Sequence, residues 1–188
     1  MLANKELGPI WTISPAIIRL YTPTDREELI KLINAIAAEG RWFITKQFVM
    51  TRSWENVLFR PADFPDHLLL VADAEGHSIG WCQVFPDLFG QRSEHVGDLG
   101  IGVSKSWRNL GIGTALMKNA IEWATNKGLE KLTLDTFSSN SRAIHVFEKT
   151  GFIQTGIRHK QYRIQDGYLD QLLMEKTLLT WECLFEIS

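Results

Sequence analysis

Cysteine is scarce: Cys82 and Cys183 are the only two in 188 residues. Two thiols exclude a disulfide-rich scaffold and a four-cysteine zinc site. Cys82 sits in an apolar run and reads as a buried thiol. A surplus of one charge is also missing, since 20 Lys+Arg stand against 22 Asp+Glu for a formal net charge of −2. Such a balance offers no electrostatic footprint for nucleic acid or a membrane surface, so any anionic ligand has to be gripped by a local cluster. No apolar stretch reaches the ~18 residues that a membrane span needs. The N-terminus lacks the basic start and apolar core of a secretion signal. These absences lead us to expect a soluble, cytoplasmic protein with reduced thiols. No His or Cys cluster has metal-ligand spacing, so no metal is expected. Repeats, low-complexity tracts and Ser/Gly linkers are lacking too. Residues 1–177 are expected to form a single domain, and 178–188 an apolar C-terminal tail, a surface through which a homodimer could form.

What is present is a chain with 45% hydrophobic residues in patterned runs. Ala16 to Tyr21 reads as a strand. Thr24-Asp25-Arg26-Glu27 has capping-box spacing and opens a helix whose Leu29, Leu32, Ile33, Ile36 and Ala37 recur at helical intervals up to Gly40. A loop through Arg41-Trp42-Phe43 leads to a short helix from Thr51 to Phe59. His67–Ala72 and Ser78–Phe85 form a hairpin around Asp73-Ala74-Glu75-Gly76. Glu94–Val103 is a strand, Gly111–Asn126 an amphipathic helix, Lys131–Phe137 a strand and Asn140–Thr150 a helix. Phe152–Arg163 and Tyr168–Glu175 close the pattern as strands around a Gln165-Asp166-Gly167 turn. This order predicts an α/β fold with a mixed, mostly antiparallel sheet flanked by helices. Glu94–Val103, its following helix and Lys131–Phe137 make one parallel βαβ unit.

The most informative segment is Trp107-Arg108-Asn109-Leu110-Gly111-Ile112-Gly113-Thr114-Ala115. A strand ends, a short loop carries an arginine, and two glycines open a helix. The first N–H groups of a helix are unpaired and lie at its positive end. Glycines let an anion approach them, and Arg108 can add a charge-assisted contact. A pyrophosphate suits this cradle; a tight turn without a ligand is the plainer reading. A Gly-Lys-Ser/Thr ending is absent, which excludes a P-loop. Leu116 stands where a dinucleotide fingerprint needs its third glycine. Gly100-Ile101-Gly102 lies inside a strand and opens no helix.

With these residues in view, the sequence resembles the GNAT superfamily of acetyl-CoA-dependent N-acetyltransferases, in particular its bacterial branch acting on small molecules and amino acids. Arg108-Asn109-Leu110-Gly111-Ile112-Gly113 matches that family's Arg/Gln-x-x-Gly-x-Gly/Ala signature. Asn140-Ser141-Arg142-Ala143-Ile144-His145-Val146-Phe147-Glu148-Lys149-Thr150-Gly151-Phe152 matches its Asn-x-x-Ala-x-x-x-Tyr-x-Lys-x-Gly-Phe motif, with Phe147 in the tyrosine position. The resemblance covers roughly residues 16–176. It implies acetyl-CoA as co-substrate, with no metal, and a small-molecule primary amine as acceptor. It also implies strand pairing of the pantetheine arm with Ile101 and Val103. The pyrophosphate would be held by Arg108, Asn109, Leu110, Gly111, Ile112, Gly113 and Thr114. Asn140 would contact the pantetheine, although it also suits an N-cap. Phe147 would lie beside the thioester, and Lys149 or Arg142 near the phosphates. The Glu94–Val103 and Lys131–Phe137 strands would diverge, leaving the thioester in the gap.

Phe147 cannot donate a proton, which leaves the general acid open and keeps a non-catalytic acyl-CoA sensor as an alternative of another class. For the base, Asp98 and His95 both match offsets used on this strand in relatives. Strand alternation puts His95 on the face of Ile101 and Val103, and Asp98 on the opposite face. The segment Glu39, Arg41, Trp42 and Phe43 would line the acceptor entrance. An amino acid or related metabolite is the expected acceptor, with a protein N-terminus or lysine as the alternative.

Overall fold

The computed structural model describes residues 11–13, 16–86, 90–164 and 167–178. Its strands are β1 (Trp11–Ile13), β2 (Ala16–Leu20), β3 (Leu68–Ala74), β4 (His77–Phe85), β5 (Val96–Val103), β6 (Lys131–Phe137), β7 (Ile153–Ile164) and β8 (Gly167–Thr177). The helices are α1 (Arg26–Ala37), α2 (Arg52–Phe59), α3 (Ile112–Asn126) and α4 (Ser141–Lys149). All eight strands join one sheet in the order β1-β2-β3-β4-β5-β6-β8-β7. Among the described residues β5–β6 is the one parallel pairing, so the mostly antiparallel α/β sheet expected from the sequence is the observed one. β1 was not anticipated, because three residues are too few to carry a period. No helix among the described residues is long and apolar enough to cross a membrane. The tail beyond Leu178 and the Gln165-Asp166 part of the expected turn lie outside the described residues.

The two faces of the sheet carry separate cores. On one face α1 and α2 cover Leu69, Val71, Trp81 and Phe85. On the other, Cys82, Val84, Leu99, Leu132 and Leu134 pack with Leu116, Met117 and Ala120 of α3 and with Phe147 of α4. Alternation along β4 assigns Trp81 to the first core and Cys82 to the second. The Cys82 thiol is fully buried, and burial pushes its pKa up, which makes it the inert thiol its apolar surroundings suggest.

Local sequence sets the helix starts, with one displacement. The Thr51 side chain caps α2 by accepting from Trp54 N at 3.3 Å. At α1 the capping box forms two residues before the predicted one, the Asp25 carboxylate accepting from Thr22 N at 2.8 Å and from its hydroxyl at 3.0 Å. The cause is tertiary: Arg19 of β2 clasps Asp25 at 2.7 and 2.8 Å and reaches Asp73 of β3 at 2.6 Å.

Gly100 and Gly102 of β5 are needed by the sheet. Gly102 lies opposite Trp81 and Gly100 opposite Gln83. A Cβ at Gly102 would fall inside the Trp81 ring, and one at Gly100 inside the Gln83 side chain. The indole therefore lies flat over β5, donates to Gln83 Oε1 at 2.8 Å and stacks on Phe43 at 5.8 Å. Gly102→Ala is expected to displace Trp81 and cost about 1–3 kcal/mol, the usual penalty for overpacking a filled core. A lowered midpoint in urea unfolding checks this.

Candidate active site

β5 and β6 pair only through Val96–Lys131, Gly97–Leu132 and Asp98–Thr133. Beyond that point β5 stays with β4 as far as Val103 opposite Gly80. β6 stays with β8 as far as Phe137 opposite Gln171. The strands splay as expected, and the edge of Leu99–Val103 that faces β6 is left unpaired. A groove of about 810 Å³ runs through the gap. Ile101, Val103, Asn109, Gly111, Gly113, Thr114, Asn140, Phe147 and Lys149 line it, as do Asp98, Trp42, Phe43 and Arg108.

The loop before α3 has the shape of an anion cradle. Asn109 and Gly111 take left-handed backbone angles, φ +67° and +83°, and Gly111 caps the helix. The first intrahelical bond runs from Ala115 N to Gly111 O at 3.0 Å, so the amides of Ile112, Gly113 and Thr114 precede the ladder. A Cβ at Gly111 would meet nothing within 4 Å, and one at Gly113 only a Val103 methyl at 3.8 Å. The cradle is open to a diphosphate, and the unpaired β5 edge beside it is open to an extended amide-bearing chain. Arg142, His145 and Lys149 line the groove along α4, three cations or potential cations on one side of the helix.

Not every residue named from the sequence plays its expected part here. Arg108 does not reach out toward the cradle. Its guanidinium is held by Glu39, with Nη1 at 2.8 Å and Nη2 at 2.5 Å, and its Nε donates to Val103 O at 2.9 Å. One lone pair of the Val103 carbonyl is thereby engaged. Ile112 is 2% exposed in the core, so only its backbone N–H faces the loop, and Leu110 points to solvent without lining the groove. Asn140 is the N-cap of α4, accepting from Ala143 N at 3.4 Å while donating to Thr136 Oγ1 at 3.2 Å. Arg41 is exposed and outside the groove.

The two base candidates separate. His95 precedes β5 in an exposed turn, its carbonyl accepting from Glu130 N and Lys131 N. The bond from Lys131 N holds the His95 backbone at the start of the β5–β6 pairing. Its side chain lies about 10 Å of strand rise away from Asp98 and does not line the groove. Asp98 sits at the apex of the splay, on the last paired position. It shares the face of Phe85, opposite Ile101, as alternation predicts. Burial pushes its carboxyl up to about 6, Asp135 adds to the rise, and a hydrogen bond from Thr133 opposes it.

Sequence reasoning missed Gln83, Asp135 and Phe137, all of which line the groove. Asp135 and Phe137 follow Thr133 at alternate positions of β6, a period-2 signal that points them to the Asp98 face once the Asp98–Thr133 register is known. Tyr162 packs edge-on against Phe137 at 5.6 Å without lining the groove. Tyr168 is exposed, and its hydroxyl accepts from Arg163 at 3.0 Å. Neither occupies the place that a tyrosine at 147 would fill.

The comparisons with known proteins agree with this geometry. The profile described as the Acetyltransferase (GNAT) family matches residues 33–152. The L-amino acid N-acetyltransferase of Escherichia coli K12 is 35% identical over 119 residues, covering 62% of this chain and 72% of that protein. The ribosomal protein bS18-alanine N-acetyltransferase of the same organism is 32% identical over 74 residues, 39% of this chain and 50% of that protein. The crystal structure of a GNAT-family acetyltransferase from Streptococcus pneumoniae superimposes with a TM-score of 0.77 at 28% identity, covering 86% of this chain and 98% of that one. The chain belongs to the GNAT acetyltransferase family, and its acetyl donor is acetyl-CoA.

A side chain at Gly111 would be strained by the left-handed backbone even though space is free. That conformation costs a Cβ-bearing residue roughly 1–2 kcal/mol, so Gly111→Val should weaken coenzyme A binding about tenfold. Titration calorimetry with coenzyme A measures it, and unchanged affinity would count against the cradle.

Proposed function

We propose that this acetyltransferase acts on a small primary amine, with an amino acid or a closely related metabolite as acceptor. The observation that carries the reading is the half-buried Asp98 at the apex of the splay, facing a wall built from Trp42, Phe43, Asp135 and Phe137. The coenzyme side of the groove carries the cradle and the α4 cations, and the opposite side carries carboxylates and rings. An anionic donor and an aminium acceptor are thus drawn to different ends. The rings suit an apolar side chain on the acceptor, and the L-amino acid N-acetyltransferase relative supports this class.

In this reading the groove residues each have a limited task. Asp98, with its carboxyl near neutral pH, takes the proton that the aminium must lose before it can attack. An N–H on the unpaired edge near Ile101 donates to the carbonyl oxygen as negative charge builds there. The C–N bond forms, the nitrogen gives its second proton to water, the C–S bond breaks, and the sulfur leaves as thiolate. Phe147, 5% exposed beside Phe152, gives this sulfur an apolar wall and no proton, so water supplies the proton. Much of the acceleration then comes from holding the two reactants together.

A protein N-terminus is the second reading, favoured by the local likeness to the bS18-alanine enzyme. Thiol release from acetyl-CoA across a panel of amino acids, other amines and an Ala-initiated peptide separates the two, and also tests the binding-only alternative.

Asp98→Asn is expected to lower kcat/KM by about 10²-fold or more and to abolish the acid limb, which in the wild type falls as pH drops through about 6. The same change should stabilise the fold. A carboxyl whose folded pKa lies above its unfolded value ionises at a cost to stability. That cost is absent below the unfolded value near 4 and complete above about 6. The variant's melting temperature should therefore exceed the wild type's at pH 8 and match it at pH 3.

A further inference from the structure

The arginine of the glycine loop is held at Nε, Nη1 and Nη2, and its partner has a second task. Glu39 follows the end of α1. Its Oε2 accepts from both Arg108 Nη1 at 2.8 Å and Trp42 Nε1 at 2.7 Å, while Oε1 accepts from Arg108 Nη2. The Arg108 guanidinium also lies 5.7 Å from the centroid of the Trp42 ring. The side chains of Arg108 and Glu39 are 13% and 22% exposed. Arg108 holds Glu39 below the usual carboxylate range, and Trp42 adds to this against the effect of burial. A solvent-exposed pair contributes little. This one is forked, half-buried and shared by three groups, which gives it geometric specificity.

Three parts of the site meet at this carboxylate. Arg108 is one residue before the left-handed Asn109 and three before Gly111. Its Nε holds the last residue of β5 through the Val103 carbonyl. Trp42 is the wall on the acceptor side, next to Phe43, which rests on Trp81. Whatever sets the loop backbone therefore sets Arg108, and through Glu39 it sets the indole.

We propose that Glu39 is a positioning residue that ties the aromatic acceptor wall to the coenzyme loop, so that filling the loop and binding the amine strengthen one another. The proposal rests on the acetyltransferase reading of the groove. Any such coupling is reciprocal between the two ligands.

The test uses the full chain and two readouts. Coenzyme A, which carries no acetyl group, is the probe for the first. The part of the tryptophan emission change that wild type shows and Trp42→Phe lacks is followed as coenzyme A is added. The second readout is the KM and kcat of the fastest amine in the panel. In Glu39→Gln the coenzyme A response of Trp42 should vanish. The KM for the amine should rise about tenfold, within the usual range of coupling. The kcat should change by less than about threefold, the mark of lost binding rather than lost chemistry. If Glu39→Gln does not fold, Glu39→Met combined with Arg108→Met removes the pair without leaving a buried charge, and the same outcome is expected. A folded variant that keeps either the Trp42 response or the wild-type KM overturns the tie. If no amine releases thiol, the acetyltransferase reading falls, while the emission response still decides whether Glu39 links loop and wall.

Discussion

The site depends on where one parallel pairing stops. β5 and β6 share three residue pairs and then part at Asp98 and Thr133. Each keeps its other neighbour, so neither strand loses its place in the sheet. The free edge of a strand is normally a hazard that proteins cover. Here it borders a groove in which an extended amide chain can pair with it. The open seam also connects the two faces of the sheet; in the proposed reading, a donor held on the α3–α4 side is thereby in reach of an acceptor on the α1 side.

The electrostatics follow from that division. The cradle amides and the α4 residues Arg142, His145 and Lys149 belong to one end of the groove, and Asp98 and Asp135 to the other. The charge of Arg108, beside the cradle, is compensated by Glu39. The net charge of −2 over 188 residues therefore conceals a local separation of sign. Near-neutrality gives no general electrostatic footprint for a broad anionic surface, yet it is compatible with one anion held by backbone groups.

Much of the fold was legible because it is written in local periods and stop signals. Helical spacing from Leu29 to Ala37, the glycine stops and the hairpin turn at Glu75-Gly76 all act over a few residues. The short first strand and the shifted box at Thr22–Asp25 were not legible, since one has no period and the other obeys an arginine from β2. In the site the same boundary holds. The glycine loop and the α4 motif are contiguous stretches, and both lie in the groove. His95 was named from a strand offset, whereas its exposed position at the start of β5, outside the groove, depends on how the neighbouring elements pack, which no local pattern reveals.

The sequence by itself determined the family, the order of the elements from Ala16 onward, the glycine loop at Gly111 and Gly113, and the absence of a tyrosine at 147. These follow from residue type at short spacing, where backbone conformation and periodicity are local properties. Only the tertiary structure decided that Arg108 belongs to Glu39, that Asp98 and not His95 reaches the seam, and that Asp135 faces Asp98. Each of these pairs residues from different elements, and the energy of a charge depends on which partner and how much water surround it.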